Sequence, residues 1–492
     1  MYTNHDGQCI KQDSAHKHEQ IAQMHNIYAQ SHLTLIAAAG QDPHFGLPGV
    51  TRQRRNQARV KLDGVELLHI PTDAISEIRA TRWATRGWTY QETFLARRRL
   101  IFTQTQVLYL CGGFYCLESV IQPPDSLNLR GAASFSALVP QFTPRALKLR
   151  RGTYSTESLG QHSTTRLASQ QHLMEYSRRH LSYDSDALNA CLGILQYVNS
   201  GKHPVRHLWG LPIEIVRGRS NQYLSIDLGW LHDKPGEMRD GLPSWTWVGW
   251  KEPVDLRQAG LDMMRMSSYA FSIQVPGDDG NIMDLMDVME GDRPVLTRET
   301  LERQKTIRIT SRVVDLSVSY IKWSHPDGHK TTVHFPNGDS YTFVNDGCAD
   351  GVYCHLAISE DIYIQAYLFV DDTNLQGFYK HSSEEDDDEF QLRGLLLYEE
   401  REIESLYSRE QTVLAVLKLE SPTESSEAGL RAGLIRIRYP WMAFSQRYES
   451  EDGPFSKVLF TDKLGNLLTE FHMPEETELW IREATIHPTI LF

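Results

Sequence analysis

Residues 82–99 read Arg-Trp-Ala-Thr-Arg-Gly-Trp-Thr-Tyr-Gln-Glu-Thr-Phe-Leu-Ala-Arg-Arg-Arg, joining two tryptophans, a glycine and a single carboxylate among cations. Glu92 is the only acid in it. Thr89 and Glu92 have the spacing of a capping box, in which the hydroxyl accepts from the N3 amide while the carboxylate reaches back to the N-cap amide. This predicts a helix starting at Thr89, entered through a flexible turn at Gly87 and followed, after the cluster Arg97–Arg99, by the strand Leu100-Ile101-Phe102-Thr103. Whatever surrounds the run must accommodate a loop, a short helix and a strand in close succession.

Upstream, Ser14 can cap a helix whose Ile21, Met24, Ile27 and Tyr28 recur at spacings of three and four. His18, His25 and His32 fall seven apart, but a helical metal pair sits at i and i+4, so solvated histidines are expected. Leu33–Ala38 is short, apolar and unbroken, which predicts a fully buried strand of a parallel sheet. Val65–Ile70 reads as a strand, and Leu100–Leu110 with Phe114–Leu117 as a hairpin about Gly112-Gly113. Helices alternating with apolar strands give an α/β class to residues 1–120.

Residues 121–168, rich in Ser, Thr, Pro and Gly, read as a linker or insertion. A mixed segment of helix and strand follows at 169–255. In it Asp184 caps a helix with Leu188, Cys191, Leu192 and Leu195 on one stripe, and Pro243–Trp250 forms a strand with Trp245 and Trp247 on one side as core. Residues 256–304 connect to an antiparallel β-rich domain at 305–492, where Asn337-Gly338 marks a hairpin and the run Glu384–Glu389 a solvated acidic loop at 381–390.

A chain of 492 residues exceeds one ordinary core and divides into domains. Its formal charge of −13 is uneven: residues 1–120 hold 13 Lys or Arg against 10 Asp or Glu, or +3, leaving −16 for the rest. Outside Arg52–Arg59 and Arg97–Arg99 there is no dense basic run, so nucleic acid is not the expected partner. No apolar run approaches the ~18 residues of a membrane span, and the N-terminus lacks a signal-peptide core, which predicts a cytoplasmic protein. The six cysteines form no C-x-x-C pair and read as reduced, mostly buried thiols, with no metal site.

Arg-Gly-Trp-Thr-Tyr-Gln-Glu followed by Leu-Ala-Arg-Arg-Arg-Leu resembles a conserved-order block of the fungal heterokaryon-incompatibility (HET) domain. Asp6–Asp13, Met24–Tyr28, Leu33–Ala38 and Gly46-Leu47-Pro48-Gly49 resemble other blocks of that family in the same order. Tyr176–Leu188 and Pro243–Trp247 resemble segments that often follow the domain, so the resemblance spans roughly the first half of the chain. It implies nonself recognition in vegetative incompatibility, exerted in programmed cell death through assembly with other incompatibility proteins or by self-association through the HET domain. HET domains have been likened to TIR domains, which implies a flavodoxin-like, doubly wound fold. In the family the Asp-x-x-Cys-Ile-x-Gln segment follows a Tyr-x-x-Leu-Ser-Tyr-x-Trp-Gly block. Here Asp6 stands close to Met1, so the expectation is an N-terminally truncated, incomplete HET domain.

No G-x-S-x-G elbow, Walker loop or G-x-G-x-x-G motif occurs, which leaves the Trp88–Glu92 run as the place for chemistry. Through the TIR likeness, Glu92 would be the catalytic carboxylate of an NAD glycohydrolase, facing the positive charge that develops on the ribose. Trp88 or Trp83 would stack on a ring of NAD, and Arg86 or Arg97 would pair with its pyrophosphate. NAD is then a substrate and no cofactor is required. Against this stands the reading that Glu92 only caps its helix and the tryptophans only fill core. A truncated chain or a degenerate paralogue would have little or no NAD cleavage.

Overall fold

The computed structural model describes residues 17–119 apart from 55–57, 70–73 and 112–114, residues 161–256 apart from 201–203, 218–221 and 233–235, and the elements from 272 onward whose bounds are given below. The Asp6–Asp13 block, residues 120–160 and the acidic run Glu384–Asp388 lie outside the described residues. The chain forms two compact units, Met1–Glu214 and Ile215–Phe492.

The first unit opens with helix α1 (Lys17–Gln30), whose Met24 and Tyr28, one turn apart, are buried. Ser31 ends it, its hydroxyl donating to Tyr28 O at 2.8 Å, and strand β1 (Thr34–Ala37) follows. Next come the hairpin β2 (Arg59–Leu62) and β3 (Val65–Leu68), then three short helices, α2 (Ala74–Arg79), α3 (Arg82–Thr85) and α4 (Trp88–Leu95). Strands β4 (Arg98–Phe102), β5 (Val107–Cys111) and β6 (Tyr115–Leu117) complete a four-stranded sheet of order β1-β4-β5-β6. β1 and β4 are parallel, with Ile36 opposite Ile101, and the helices between them supply the crossover such a pair requires. The later strands are antiparallel; a tight turn joins β4 and β5, where Thr103 and Gln106 bond each other and which Glu77 of α2 grips through Thr105 N and Oγ1 at 3.1 and 2.7 Å. Among the described residues the sheet is mixed: β1–β4 is its parallel pairing, and β4, β5 and β6 are antiparallel.

Ile36, Ala38, Ile101, Leu108 and Leu110 point to one face of this sheet and meet Ala74, Ile78, Trp83 and Ala84 of α2 and α3. Each fully buried aliphatic side chain there contributes roughly 1.5–3 kcal/mol. The opposite face is less covered. Leu35 of β1 is 54% exposed, so this strand is half-buried with a period of two rather than buried on both faces as expected. The basic cluster Arg97–Arg99 divides by the same pleat: Arg97 and Arg98 are exposed while Arg99 turns inward.

Helix α5 (Gln161–Ser177), two single-turn 3₁₀ segments at Asp184–Asp186 and Asn189–Cys191, and helix α6 (Leu192–Asn199) pack beside α1 and α4. The single helix expected from Asp184 is instead two 3₁₀ turns and a later α-helix. Leu188, Cys191 and Leu195 are still buried, and the residue at the first N-cap is Tyr183 rather than Asp184. Near the end of the unit β7 (Arg206–Leu208) pairs antiparallel with the first residues, Leu211 to Ile213, of β8 (Leu211–Arg217).

In the second unit Leu231–His232 pairs with Val254–Asp255 around a tryptophan core. Trp230, Trp245, Trp247 and Trp250 are all buried, as core residues should be, but Pro243–Trp250 is not the expected strand: it is a turn followed by the 3₁₀ segment Trp247–Gly249. Indole N–H groups hold it, Trp230 Nε1 donating to Trp245 O at 3.0 Å and Trp250 Nε1 to Ser244 O at 2.8 Å. An adjoining nine-stranded sheet runs, in hydrogen-bonded order, Ile282–Asp284, Ser272–Pro276, Ile307–Ser319, Val352–Ser359, Ile362–Val370, Ala428–Arg438, Gln411–Leu419 and Glu389–Glu400, with Thr485–Leu491 beside Ile307–Ser319. Glu389–Glu400 also pairs back with Ile307–Ser319, so the order returns on itself. Ile307–Ser319 is one long strand, and Ile307, Ile309, Ser311 and Val313 are buried along one side of it. Lys330–His334 and Ser340–Val344 pair antiparallel, flanking Asn337-Gly338 as expected. No helix among the described residues is long and apolar enough to cross a membrane.

Candidate functional site

The run Trp88-Thr89-Tyr90-Gln91-Glu92 forms most of α4, and the N-cap is Gly87, two residues before the Thr89 of the capping box. Thr89 is not a cap. It is buried and donates its hydroxyl to Trp83 O at 2.6 Å and Arg86 O at 2.8 Å, tying its side chain to carbonyls at the end of α3. The capping threonine of the region is Thr81, whose Oγ1 accepts from Ala84 N at 3.2 Å. Gly87 is likewise no flexible hinge. It has ordinary helical backbone angles, and a Cβ built on it would lie 2.5 Å from Leu181 Cδ2. The glycine permits close approach: Gly87 N donates to His180 O at 2.8 Å and His180 N to Thr85 O at 2.7 Å.

The remaining side chains of the run reach the segment 172–193. Trp88 Nε1 donates to Asp186 Oδ2 at 3.1 Å. Tyr90 is fully buried, with its hydroxyl 2.9 Å from His172 Nδ1 and its ring edge-on to His172 and Tyr176. Gln91 Oε1 accepts from Gly193 N at 3.2 Å, which gives the first turn of α6 a cap from a distant part of the chain, since Cys191 at that N-cap supplies none. Phe94 stacks edge-on against His172 and Tyr197 at centroid distances of 4.5 and 5.3 Å.

Arg179 lies over the Tyr90 ring at 4.6 Å and donates to Arg86 O and Thr89 Oγ1 at 3.2 and 3.1 Å. Burial pulls its guanidinium down to about 10, an effect opposed by Tyr90, Glu175 and Glu92. Burial alone takes His172 down to about 4, and burial raises Tyr90 far above the usual phenol range. At neutral pH the pair Tyr90–His172 is therefore uncharged, in a packed aromatic core.

Of the residues singled out in the sequence, Glu92 is half-buried on α4 and electrostatically coupled to Arg179. Trp88 is half-buried with its N–H engaged, Trp83 lies in the core between helices and sheet, and Arg86 and Arg97 are exposed. His172, Arg179, Asp186 and Gly193 were not singled out, although Arg179 and Asp186 fall in the Tyr176–Leu188 segment. The hairpin β2–β3 was half missed. Asp63-Gly64 at its tip, with φ of 48° and 84°, is the Asp-Gly turn that flanking Val and Leu alternation should have revealed.

A short mixed sheet backed by helices, with a buried aromatic cluster at α4, makes this an α/β unit. Residues 5–92 match the model of the family "Heterokaryon incompatibility protein (HET)". Over this N-terminal segment the chain is similar to the HET domain, and the match ends at Glu92 itself. No curated protein and no solved structure matches the chain.

Proposed function

We propose that this chain works in heterokaryon incompatibility as a nonself-recognition module that promotes cell death by assembling with itself or with other incompatibility proteins. The observation that carries the reading is the β2–β3 hairpin. Val60, Leu62, Val65 and Leu67 share one of its faces by the pairing Val60–Leu67 and Leu62–Val65, and are 55, 56, 61 and 52% exposed. Arg59, Lys61 and Glu66 take the other face, with Arg59 and Glu66 3.4 Å apart. A two-stranded ribbon that leaves its apolar face in water is the kind of surface that a partner covers. Replacing Leu62 and Val65 together by lysine is expected to leave the chain folded and to abolish self-association in size-exclusion chromatography with light scattering, or co-purification with a partner, along with killing on overexpression. Killing and assembly at wild-type levels in that variant would overturn the reading.

The alternative is a TIR-like NAD glycohydrolase with Glu92 as its carboxylate. In its favour, Glu92 keeps solvent access on a helix whose neighbouring motif residues are mostly buried. NAD loss on incubation with purified protein, abolished in Glu92→Gln with the fold intact, would establish it. Equal turnover by the Gln variant would remove Glu92 from the chemistry.

A further inference from the structure

The Gly46-Leu47-Pro48-Gly49 block and the residues after it build a second feature, independent of α4. An open surface depression of about 570 Å³ is lined by Gly49–Arg54 together with Glu118, which follows the last strand of the sheet. Its walls are held by bonds within the loop. Gly49 N donates to Arg52 O at 2.8 Å, Val50 N and Thr51 N to Leu47 O at 3.0 Å, and Leu47 N to Thr51 Oγ1 at 2.7 Å.

Two guanidinium groups are fixed in this frame. Arg54 donates from Nε to Pro48 O at 3.2 Å and forms an ion pair with Glu118, whose carboxylate is itself anchored by Val107 N at 2.9 Å. Arg54 lies directly across Gly49: a Cβ there would be 2.5 Å from its Nε, and the backbone φ of +86° also demands glycine. Arg52 stacks over Phe45 at 3.9 Å and donates from one nitrogen to Phe45 O at 3.2 Å. That contact orients the group, while its other N–H donors have no protein acceptor among the described residues. Two guanidiniums against one carboxylate leave the depression cationic, and their forked donors suit tetrahedral oxyanions. The depression is open to solvent and has room for more than a bare phosphate.

We infer that this depression binds a small phosphate-bearing organic molecule, with Arg52 as the main phosphate ligand and Arg54, positioned by Gly49 and Glu118, as the second. Because Arg52 is solvent-exposed, its removal leaves the fold intact.

Isothermal titration of the full chain against adenosine monophosphate, inorganic phosphate, succinate and vesicles of anionic phospholipid tests the assignment. Adenosine monophosphate is expected to bind more tightly than inorganic phosphate, and Arg52→Ala to weaken it by at least about tenfold. Arg98→Ala, removing an exposed cation that does not line the depression, should leave binding unchanged, and higher salt should weaken it. Vesicle binding lost in Arg52→Ala would assign the same phosphate chemistry to a lipid headgroup. Succinate binding as tightly as the phosphate compounds, no binding by any phosphate compound, or equal affinity of wild type and Arg52→Ala would each overturn the inference.

Discussion

Helix α4 and hairpin β2–β3 belong to one compact unit and treat their side chains in opposite ways. On α4 even polar groups are turned inward, and Thr89, Tyr90 and Gln91 each find a hydrogen-bond partner outside the helix. On the hairpin even valine and leucine stay outside. The first region specifies the fold, because a buried polar group left without its partner costs more than the bond itself contributes. The second contributes little to the folded chain's own stability, so its composition is open to selection for something else. The motif with the most distinctive sequence is therefore structural in most of its residues, while the plainer hairpin carries the functional reading.

The contrast can be broken most directly at Phe94, which has no exposed surface. Phe94→Ala is expected to cost about 3–5 kcal/mol in urea denaturation, and a loss below 1 kcal/mol would mean that α4 is not central. Tyr90→Phe removes only a hydroxyl. It should cost about 1–3 kcal/mol, because His172 Nδ1 is left buried without its partner.

Acid sharpens the same comparison. His172 and His207 are held down to about 4 by burial, below the 6.5 of an unfolded histidine, so the unfolded chain binds more protons between these values. The stability that comes from keeping them neutral is fully present above pH 6.5 and is lost as pH falls toward and through about 4. Each contributes a slope of up to ~1.4 kcal/mol per pH unit in that window. His172→Gln should flatten the profile over that range. The smallest effect belongs to the hairpin: Leu62→Lys with Val65→Lys should change monomer stability by less than about 0.5 kcal/mol. A large loss of melting temperature would show that the ribbon is core after all.

The local part of this fold was legible in the sequence. Asn337-Gly338, the stripe Leu188, Cys191 and Leu195, and the burial of Trp245 and Trp247 follow from turn chemistry and periodicity, which act over a few residues. What failed depended on partners that no spacing rule names. Thr89 has the spacing of a cap, but Trp83 O and Arg86 O compete for its hydroxyl. Gly87 reads as a hinge until Leu181 is seen against it. Leu33–Ala38 is apolar enough for burial on both faces, yet helices cover only one. The candidate site follows the same rule: Glu92 and Trp88 stand out in the sequence, but Arg179 and Asp186 gain meaning only when brought beside them.

The bridge between Thr85–Gly87 and His180, continued by the bonds from Trp88, Tyr90 and Gln91, makes α4 a clasp for a part of the chain far along the sequence. The unit that folds is thus longer than the segment 5–92 that identifies the family, and cutting at the end of that segment would discard half of a buried interface. A clasp of this kind does not depend on the continuity of the polypeptide between its two jaws. Lengthening the tether between them costs only about 0.6 kcal/mol per doubling. A protease nick between residues 119 and 161 should accordingly leave the two pieces bound to each other, and pieces made separately should reconstitute the unit when mixed.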